Sequence, residues 1–594
     1  MELPHIEELI GCIGCGWKKY IFLYFLIQIP MKHTEEQLRI FEFVKNEKSH
    51  GIIDAVAGAG KTTTIMECVK YIDDKTDALF CAFNNSIAGE ISKKFHQKGF
   101  PEVTVKTMHA LGRSILQENN STGLPITLKE DKYRELMKNE DLLGAVLPYF
   151  ENIARINDYD THPFDDRQKF ALNSLYNNIK NKLLDINQKY RATLTKDNIE
   201  SFKEMVIHYG IFNDIDIKKK DFSKELENYY LAHQVILEEG NELSWRTMMI
   251  DFTDMLYLPY KWELEPSKKY NFLFIDECQD LSKSQLAIAM KYGKKSGRIL
   301  AVGDPRQSIY GFTGADIESF NRIKDLTKAT ALPLTECFRC PGDVVRLAQH
   351  IRPDIKGNKP DSNKIHRIPF AEIVKLAKAG DLIISRFRDP ILVLVFNFID
   401  NNIKVHIHED EAREIINEIK SVFKQDELNA VIAHQPRRFE SISDAVYNRW
   451  KWIITKNAAA IIDSKERTIY IDEQNEILQQ KLRFLNKKYE LWQAECRTIT
   501  DILKKIKEFI SAPSDSIKLS TIHRAKGLEN QRVFILGYDE LPFKRVYQKD
   551  WEKIQEMNLK YVAITRSLEE LYLIEDNKQQ VIEDEGSLFD LLPI

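Results

Sequence analysis

A chain of 594 residues holds about four domains at roughly 150 residues each, so several buried cores fit. It is 43% hydrophobic and 29% charged, with 24 glycines and 19 prolines, which excludes collagen-like and mostly disordered classes. A net charge of −4 rules out a globally basic nucleic-acid coat while leaving room for a basic groove, and eight cysteines argue for a reducing, cytoplasmic compartment without a disulfide framework.

Tyr20–Ile29 is an apolar run of ten after Lys18 and Lys19, about half of what spans a bilayer as a helix. Ile29-Pro30-Met31-Lys32 stands where a small-x-small cleavage site would be, so residues 1–30 read as an appendage from an upstream start codon, with no membrane association expected. Cys12 and Cys15 form a lone CxxC, weak as a metal signal. Gly51 to Ala57 suits a buried parallel strand and leads into the phosphate loop Ala55-Val56-Ala57-Gly58-Ala59-Gly60-Lys61-Thr62, after which helical spacing begins. In such a loop Gly58 and Gly60 let backbone N–H groups close around phosphate oxygens. Lys61 reaches the β- and γ-phosphates and the Thr62 hydroxyl holds Mg²⁺, so nucleotide binding is the first functional expectation.

Further strands are expected at Ala78–Phe83 and Val103–Lys106, with a helix from about Ser86 to Phe95 between them. Gln117 to Pro266 reads as a charged, mostly helical insertion. The strand pattern resumes at Phe272–Ile275, which delivers Asp276 and Glu277 at its C-terminal end, and at Ile299–Val302. After a phosphate loop, Asp276 would complete the Mg²⁺ shell through water and Glu277 would polarise an attacking water. Alternating strands and helices predict an α/β fold with a doubly wound parallel sheet. A second sheet starts near Ile383 and resumes at Val533–Leu536 and Leu571–Ile574, enclosing a second insertion from Glu409 to Ser511. Leu478, Leu482, Leu485, Tyr489, Trp492, Cys496, Ile499, Leu503, Ile506 and Ile510 predict one continuous helix with a heptad seam. Packing within its own insertion is expected over a dimeric coiled coil, because Ile415, Ile419, Val422 and Phe423 can cover the seam.

Asp276-Glu277-Cys278-Gln279-Asp280, together with Gly303-Asp304-Pro305-Arg306-Gln307-Ser308-Ile309-Tyr310-Gly311-Phe312, resembles superfamily 1 helicases of the UvrD/Rep type. Other matches stand in family order. Gln37 looks like the adenine-reading glutamine, and Ala82-Phe83-Asn84 and Thr107-Met108-His109 like the first DNA-contacting motifs. Asp251-Phe252-Thr253-Asp254 matches a segment before the acid pair, and Cys337-Phe338-Arg339-Cys340 the arginine motif. Leu519–Glu529 and Tyr561–Arg566 resemble the last two motifs. FNNSIA (83–88) and the short second insertion look most like the F-box DNA helicase branch and its bacterial and phage relatives, although no F-box is visible.

The resemblance implies two RecA-like domains, one from residues 31–116 and 267–335 and one from 336–408 and 512–578. Their helical insertions are 117–266 and a reduced 409–511, and an acidic tail occupies 579–594. It implies ATP and Mg²⁺ as cofactors and 3′-to-5′ movement on single-stranded or partly duplex DNA in repair, recombination or replication. Arg339 and Arg566 would act on the transferring phosphoryl group from the second domain, Gln307 would sense the γ-phosphate, Phe338 would stack on adenine and Glu529 would meet the ribose. Phe83, Tyr310 and Phe312 would stack on bases, with Asn84, Thr107, His109, Thr521 and His523 on the backbone. Phe312 replaces a usual tryptophan, Thr313 a common arginine and Asn85 a common lysine, so weaker DNA affinity or a shallower salt slope is expected. Cys337 and Cys340 flank an arginine with its own role, and zinc is not expected there.

Two other readings stay open: a translocase that strips proteins from single strands without much unwinding, and an ATP-switched subunit of a repair or defence complex with a nuclease partner. The tail segment Ser587–Ile594 loosely resembles sliding-clamp-binding peptides but lacks their leading glutamine.

Overall fold

The computed structural model describes residues 33–150, 166–212, 222–311, 318–458, 464–513, 515–544 and 548–575. The N-terminal appendage with Cys12 and Cys15, Phe312 and Thr313, and the acidic tail with Ser587–Ile594 lie outside them.

Short apolar runs between polar or glycine-bearing turns give two six-stranded sheets. The first contains β1 (Gly51–Ala55), β2 (Ala78–Ala82), β3 (Thr104–Thr107), β4 (Tyr270–Ile275), β5 (Gly293–Gly303) and β6 (Thr330–Leu334), in the order β3-β2-β4-β5-β1-β6. The second contains β7 (Ile365–Pro369), β8 (Leu382–Ser385), β9 (Val405–Ile407), β10 (Ile517–Thr521), β11 (Asn530–Ile535) and β12 (Ser567–Glu575), in the order β7-β12-β11-β8-β10-β9. Every pairing within the two sheets is parallel. The fold is α/β with two parallel-sheet, RecA-like domains, as the sequence predicts. Because all strands of the first sheet run the same way, their C-terminal ends share one edge, the side on which open α/β sheets bind ligands.

Parallel strands bury both faces. In the first sheet Ala55, Phe80, Phe274 and Val302 face one core, and Ile52, Leu79, Leu273 and Ala301 face another. The first of these cores continues through Cys337, Val344 and Ile351 into Leu382, Ile384, Val533 and Leu571 of the second sheet. One apolar core therefore joins the two sheets.

The helix α1 (Glu35–Asn46) starts at a Thr34–Gln37 capping box, and α2 (Lys61–Cys68) starts at Gly60 directly after the phosphate loop. The first insertion is largely helical, with α3 (Asp166–Thr193) and α4 (Phe222–Thr247) as its longest members. Its own helices are tied together by a buried ionic knot. Arg191 of α3 donates to both oxygens of Asp251 at 2.8 Å and to Asp254 at 2.7 Å, and Lys132 reaches the other Asp254 oxygen at 2.7 Å. Asp251 and Asp254 also cap each other's backbone. The segment that sequence matched to a family motif thus knits the insertion together internally.

The second insertion corrects the heptad reading. The periodic stretch is not one helix: α7 (Ser464–Trp492) ends, a turn follows, and α8 (Ile499–Ile510) starts at Thr498 with a capping box to Asp501. The Thr498 cap satisfies the N–H groups that this break leaves without helical partners. The seam residues still share one core with Ile415 and Ile419 of α5 (Glu409–Lys420), with Phe439 and Val446 of α6 (Pro436–Ala458), and with Val422 and Phe423. The helix α9 (Asp550–Ile564) precedes β12.

Two variants test this packing. Arg191→Met leaves Asp251 and Asp254 buried without their guanidinium, and thermal unfolding should show a loss of about 3–5 kcal/mol. His233 lies between Tyr190 and Phe202 with neither ring nitrogen hydrogen-bonded among the described residues, and burial, aided by Arg191, pushes its pKa down to about 3. Below pH 6.5 the unfolded chain takes up a proton that the folded histidine refuses, so stability falls by about 1.4 kcal/mol per unit as pH drops toward 3. His233→Phe should therefore raise the unfolding temperature, and by more at pH 5 than at pH 8.

Candidate active site

The phosphate loop turns at two glycines. Gly58 has φ +70°, and a Cβ there would sit 2.5 Å from the Arg339 Cβ; Gly60 has φ +77° with open space around it. Gly58 is thus glycine because another segment packs on it, while Gly60 is glycine for backbone conformation alone. The Phe338 N–H donates to the Gly58 carbonyl at 3.0 Å, so the residues around Arg339 lie directly on the loop. The loop's last residues open α2, whose N-terminal N–H groups face a cavity of about 480 Å³.

Two strand ends bring acids to this site. The Thr62 hydroxyl donates to Asp276 at 2.9 Å, and Lys61 lies 3.4 Å from Glu277. Asp304, at the end of β5, accepts from the Gln307 amide at 2.7 Å, and its own N–H goes to Gln279 at 3.0 Å. Gln279 in turn donates to Glu277 at 2.7 Å. Burial works against the Lys61 ammonium, but Glu277, Asp304 and Asp276 outweigh it and hold its pKa above the ordinary lysine value. Burial and the neighbouring Glu277 raise Asp276, whereas Lys61 and Lys526 overcome burial and keep Glu277 low. Of the two adjacent acids, Glu277 is the one held more firmly ionised, and its φ of +50° turns its backbone out of the strand.

The second half of the chain supplies cations. Arg339 pairs with Glu529 at 2.6 Å and donates to the Thr565 carbonyl at 3.4 Å. Arg566 is buried, with Nε on the Val562 carbonyl at 2.9 Å and Nη1 on that of Leu528 at 3.0 Å. Burial, and Arg339 beside it, lower its pKa to about 10. Lys526 pairs with Asp280 and donates to the Gln307 carbonyl at 2.6 Å. Lys61, Thr62, Glu277 and Gln307 therefore line one cavity with Arg339, Glu529 and Arg566. Gln37 and Phe338 are set beside it. Gln37 is spent on its capping box and on the Thr64 hydroxyl at 3.0 Å, and Phe338 is 39% exposed.

The residues expected to meet DNA spread along the same edge. Phe83 and Tyr310, which both border the cavity, stack with ring centroids 6.3 Å apart, and the Tyr310 hydroxyl donates to the His523 carbonyl at 3.0 Å. Asn84 is exposed and caps the following helix through Ile87. Thr107 is buried and caps the helix Met108–Glu118 through Ala110, and Thr521 is buried against Glu411 at 3.1 Å. Burial lowers the pKa of His109, and burial with Arg386 nearby lowers that of His523 to about 3, so both rings are neutral at physiological pH. His109 also meets Phe252 edge-on at 5.9 Å, and Phe252 is 45% exposed.

Sequence reasoning gave no role to Lys526, to Phe252, or to Tyr561, whose hydroxyl accepts the Ala57 N–H at 2.9 Å. All three lie inside quoted motifs, which was the available signal. Arg352 carried none: it bonds Asp54 of β1 at 2.7 Å and approaches Asp304 at 3.9 Å.

The two loop glycines should separate in titrations with a fluorescent ATP analogue. Gly60→Ala adds backbone strain only, whereas Gly58→Ala also pushes the Arg339 segment off the loop. Gly60→Ala should weaken binding about tenfold, and Gly58→Ala further still, with a lower unfolding temperature.

The family model for the UvrD/REP helicase N-terminal domain matches residues 34–328. The chain is 22% identical to the ATP-dependent DNA helicase PcrA of Staphylococcus aureus over 655 aligned positions, covering 90% of this chain and 82% of the relative. It is 21% identical to a protein of Mycoplasma pneumoniae named probable DNA helicase II homolog, covering 89% and 82%, and 21% identical to a second from that organism named probable DNA helicase, covering 92% and 83%. Phosphate loop, paired acids and arginine segments in one cavity, with these likenesses along most of the chain, make it a member of the UvrD/Rep type of superfamily 1 helicases.

Proposed function

We propose that this protein is an ATP-driven DNA helicase or translocase that moves 3′ to 5′ along single-stranded DNA in repair, recombination or replication. The observation that carries this reading is the cavity lined by Lys61, Thr62, Glu277 and Gln307 from one half of the chain and by Arg339 and Arg566 from the other. The DNA substrate and the helicase activity are brought over from the named relatives, and the polarity from the family resemblance.

In this reading Lys61 and the α2 N-terminus bind the β- and γ-phosphates. Thr62 and Asp276, an all-oxygen pair already in contact, suit Mg²⁺, which would neutralise phosphate charge there. Glu277, kept ionised, accepts a proton from the attacking water. Arg339 and Arg566 turn from Glu529 and from backbone carbonyls toward the charge that develops on the phosphoryl group. Gln37, once it lets go of Thr64, and Phe338 hold the adenine, and Glu529, once released by Arg339, the ribose. Phe83, Tyr310 and Phe312 stack on bases, while Asn84, Thr107, His109, Thr521 and His523 follow the backbone. A clamp contact through the tail and a nuclease partner are extensions that this geometry does not require. Among the described residues no helix is long and apolar enough to cross a membrane.

The test is ATP hydrolysis with and without single-stranded DNA. Strong DNA stimulation is expected for the native chain, with Lys61→Ala and Arg566→Ala each lowering kcat by about 10³-fold or more. Duplexes with a 3′ overhang should be unwound in preference to those with a 5′ overhang. Hydrolysis indifferent to DNA would sink the motor reading, and protein displacement without strand separation would favour the stripping translocase.

A further inference from the structure

The phosphate loop is anchored at two successive amides, and they are tied to different halves of the molecule. The Val56 N–H donates to the carbonyl of Leu334, in β6 of the loop's own sheet, at 3.0 Å. The next, Ala57 N–H, donates to the Tyr561 hydroxyl at 2.9 Å, although the two residues are 504 positions apart. Ala57 and Tyr561 are both fully buried. Tyr561 lies on α9, and the Thr565 N–H and hydroxyl donate back to its carbonyl at 3.1 and 2.9 Å. Its backbone is therefore fixed to the turn that presents Arg566, while its side chain holds the loop. The hydroxyl is kept protonated, since burial and nearby Asp304 raise its pKa well above the ordinary tyrosine value.

We propose that Tyr561 is a positioning residue for the nucleotide site: its hydroxyl holds the phosphate loop in its receiving shape only when α9 is docked, so the loop and Arg566 are set together. This deepens the function proposed above and rests on it. The residue touches no phosphate; it acts through Ala57, one residue before Gly58. Replacing it by phenylalanine keeps the ring in the core and removes only the acceptor, leaving a buried N–H without a partner. The loop can then leave its shape at no loss of a hydrogen bond. Because the loop grips phosphates equally before and during reaction, the effect falls on nucleotide affinity rather than turnover.

Steady-state hydrolysis at saturating single-stranded DNA should show a KM for ATP about tenfold higher in Tyr561→Phe, with kcat within threefold of native. Titration with fluorescent ADP should show a similar loss of affinity. A hydroxyl that serves folding alone would give a lower unfolding temperature with KM, kcat and ADP affinity all within twofold of native, and that result overturns the inference. If the native chain hydrolyses no ATP with or without DNA, the function proposed above fails. The ADP titration then still decides the role of Tyr561, unchanged affinity overturning it.

Discussion

The lysine that opens α2 is a cation almost withdrawn from water, and most of the site follows from what that requires. A buried ammonium persists only beside compensating charge and satisfied hydrogen bonds. Glu277 and Asp276 come from the end of β4 and Asp304 from the end of β5, and the order β4-β5-β1 sets those ends next to the loop. The sheet order is thus the electrostatic solution to Lys61 as much as a packing arrangement.

The same constraint reaches into the other half of the chain. Glu277 is held ionised by Lys526 as well as by Lys61, and Lys526 also pairs with Asp280. Arg339 is balanced by Glu529, and Arg566 is capped by carbonyls of its own half. Satisfying the charges of the cavity and docking the two sheets are therefore one event. An anion entering the cavity would compete with Glu277 for Lys61 and with Glu529 for Arg339. In exchange it would offer Arg566 a negative charge that its carbonyl partners do not carry.

Much of this was legible in the sequence because it rests on local signals. Apolar runs before Gly58, Asp276 and Asp304 marked the central strands, and glycine spacing marked the loop. The strands β6, β7, β9 and β10 were missed: Thr330–Leu334, Ile365–Pro369 and Val405–Ile407 are short edge strands, and Ile517–Thr521 has a lysine within it. The break at Thr498 was hidden by its own periodicity, since a turn of the right length keeps the apolar residues in step on both sides. Long-range partners were illegible for a different reason. That Arg191 would find Asp251, Arg352 Asp54, and Tyr561 Ala57 depends on which surfaces the sheets bring together, and no spacing along the chain records it.

The run from Gln307 to Tyr310 shows how a change at the cavity can reach the aromatic edge. Gln307 is bonded to Asp304 at one end, and three residues later the Tyr310 ring stacks on Phe83. Between them Ser308 donates to the Gln279 carbonyl at 3.2 Å, Asn558 of α9 donates to the Ser308 and Pro305 carbonyls at 2.8 and 3.2 Å, and Ile309 is fully buried. Both ends are also held from the second half, Gln307 through Lys526 and Tyr310 through the carbonyl of His523. The segment is thus clamped between Gln279 on one side and Asn558, Lys526 and His523 on the other. If the second half shifts relative to the first sheet, the run cannot keep both sets of hydrogen bonds. It must follow one side, and either choice moves Tyr310 relative to Phe83 or to His523. A packed core that cannot stretch converts a small displacement at Lys526 into a discrete rearrangement of the stacking surface.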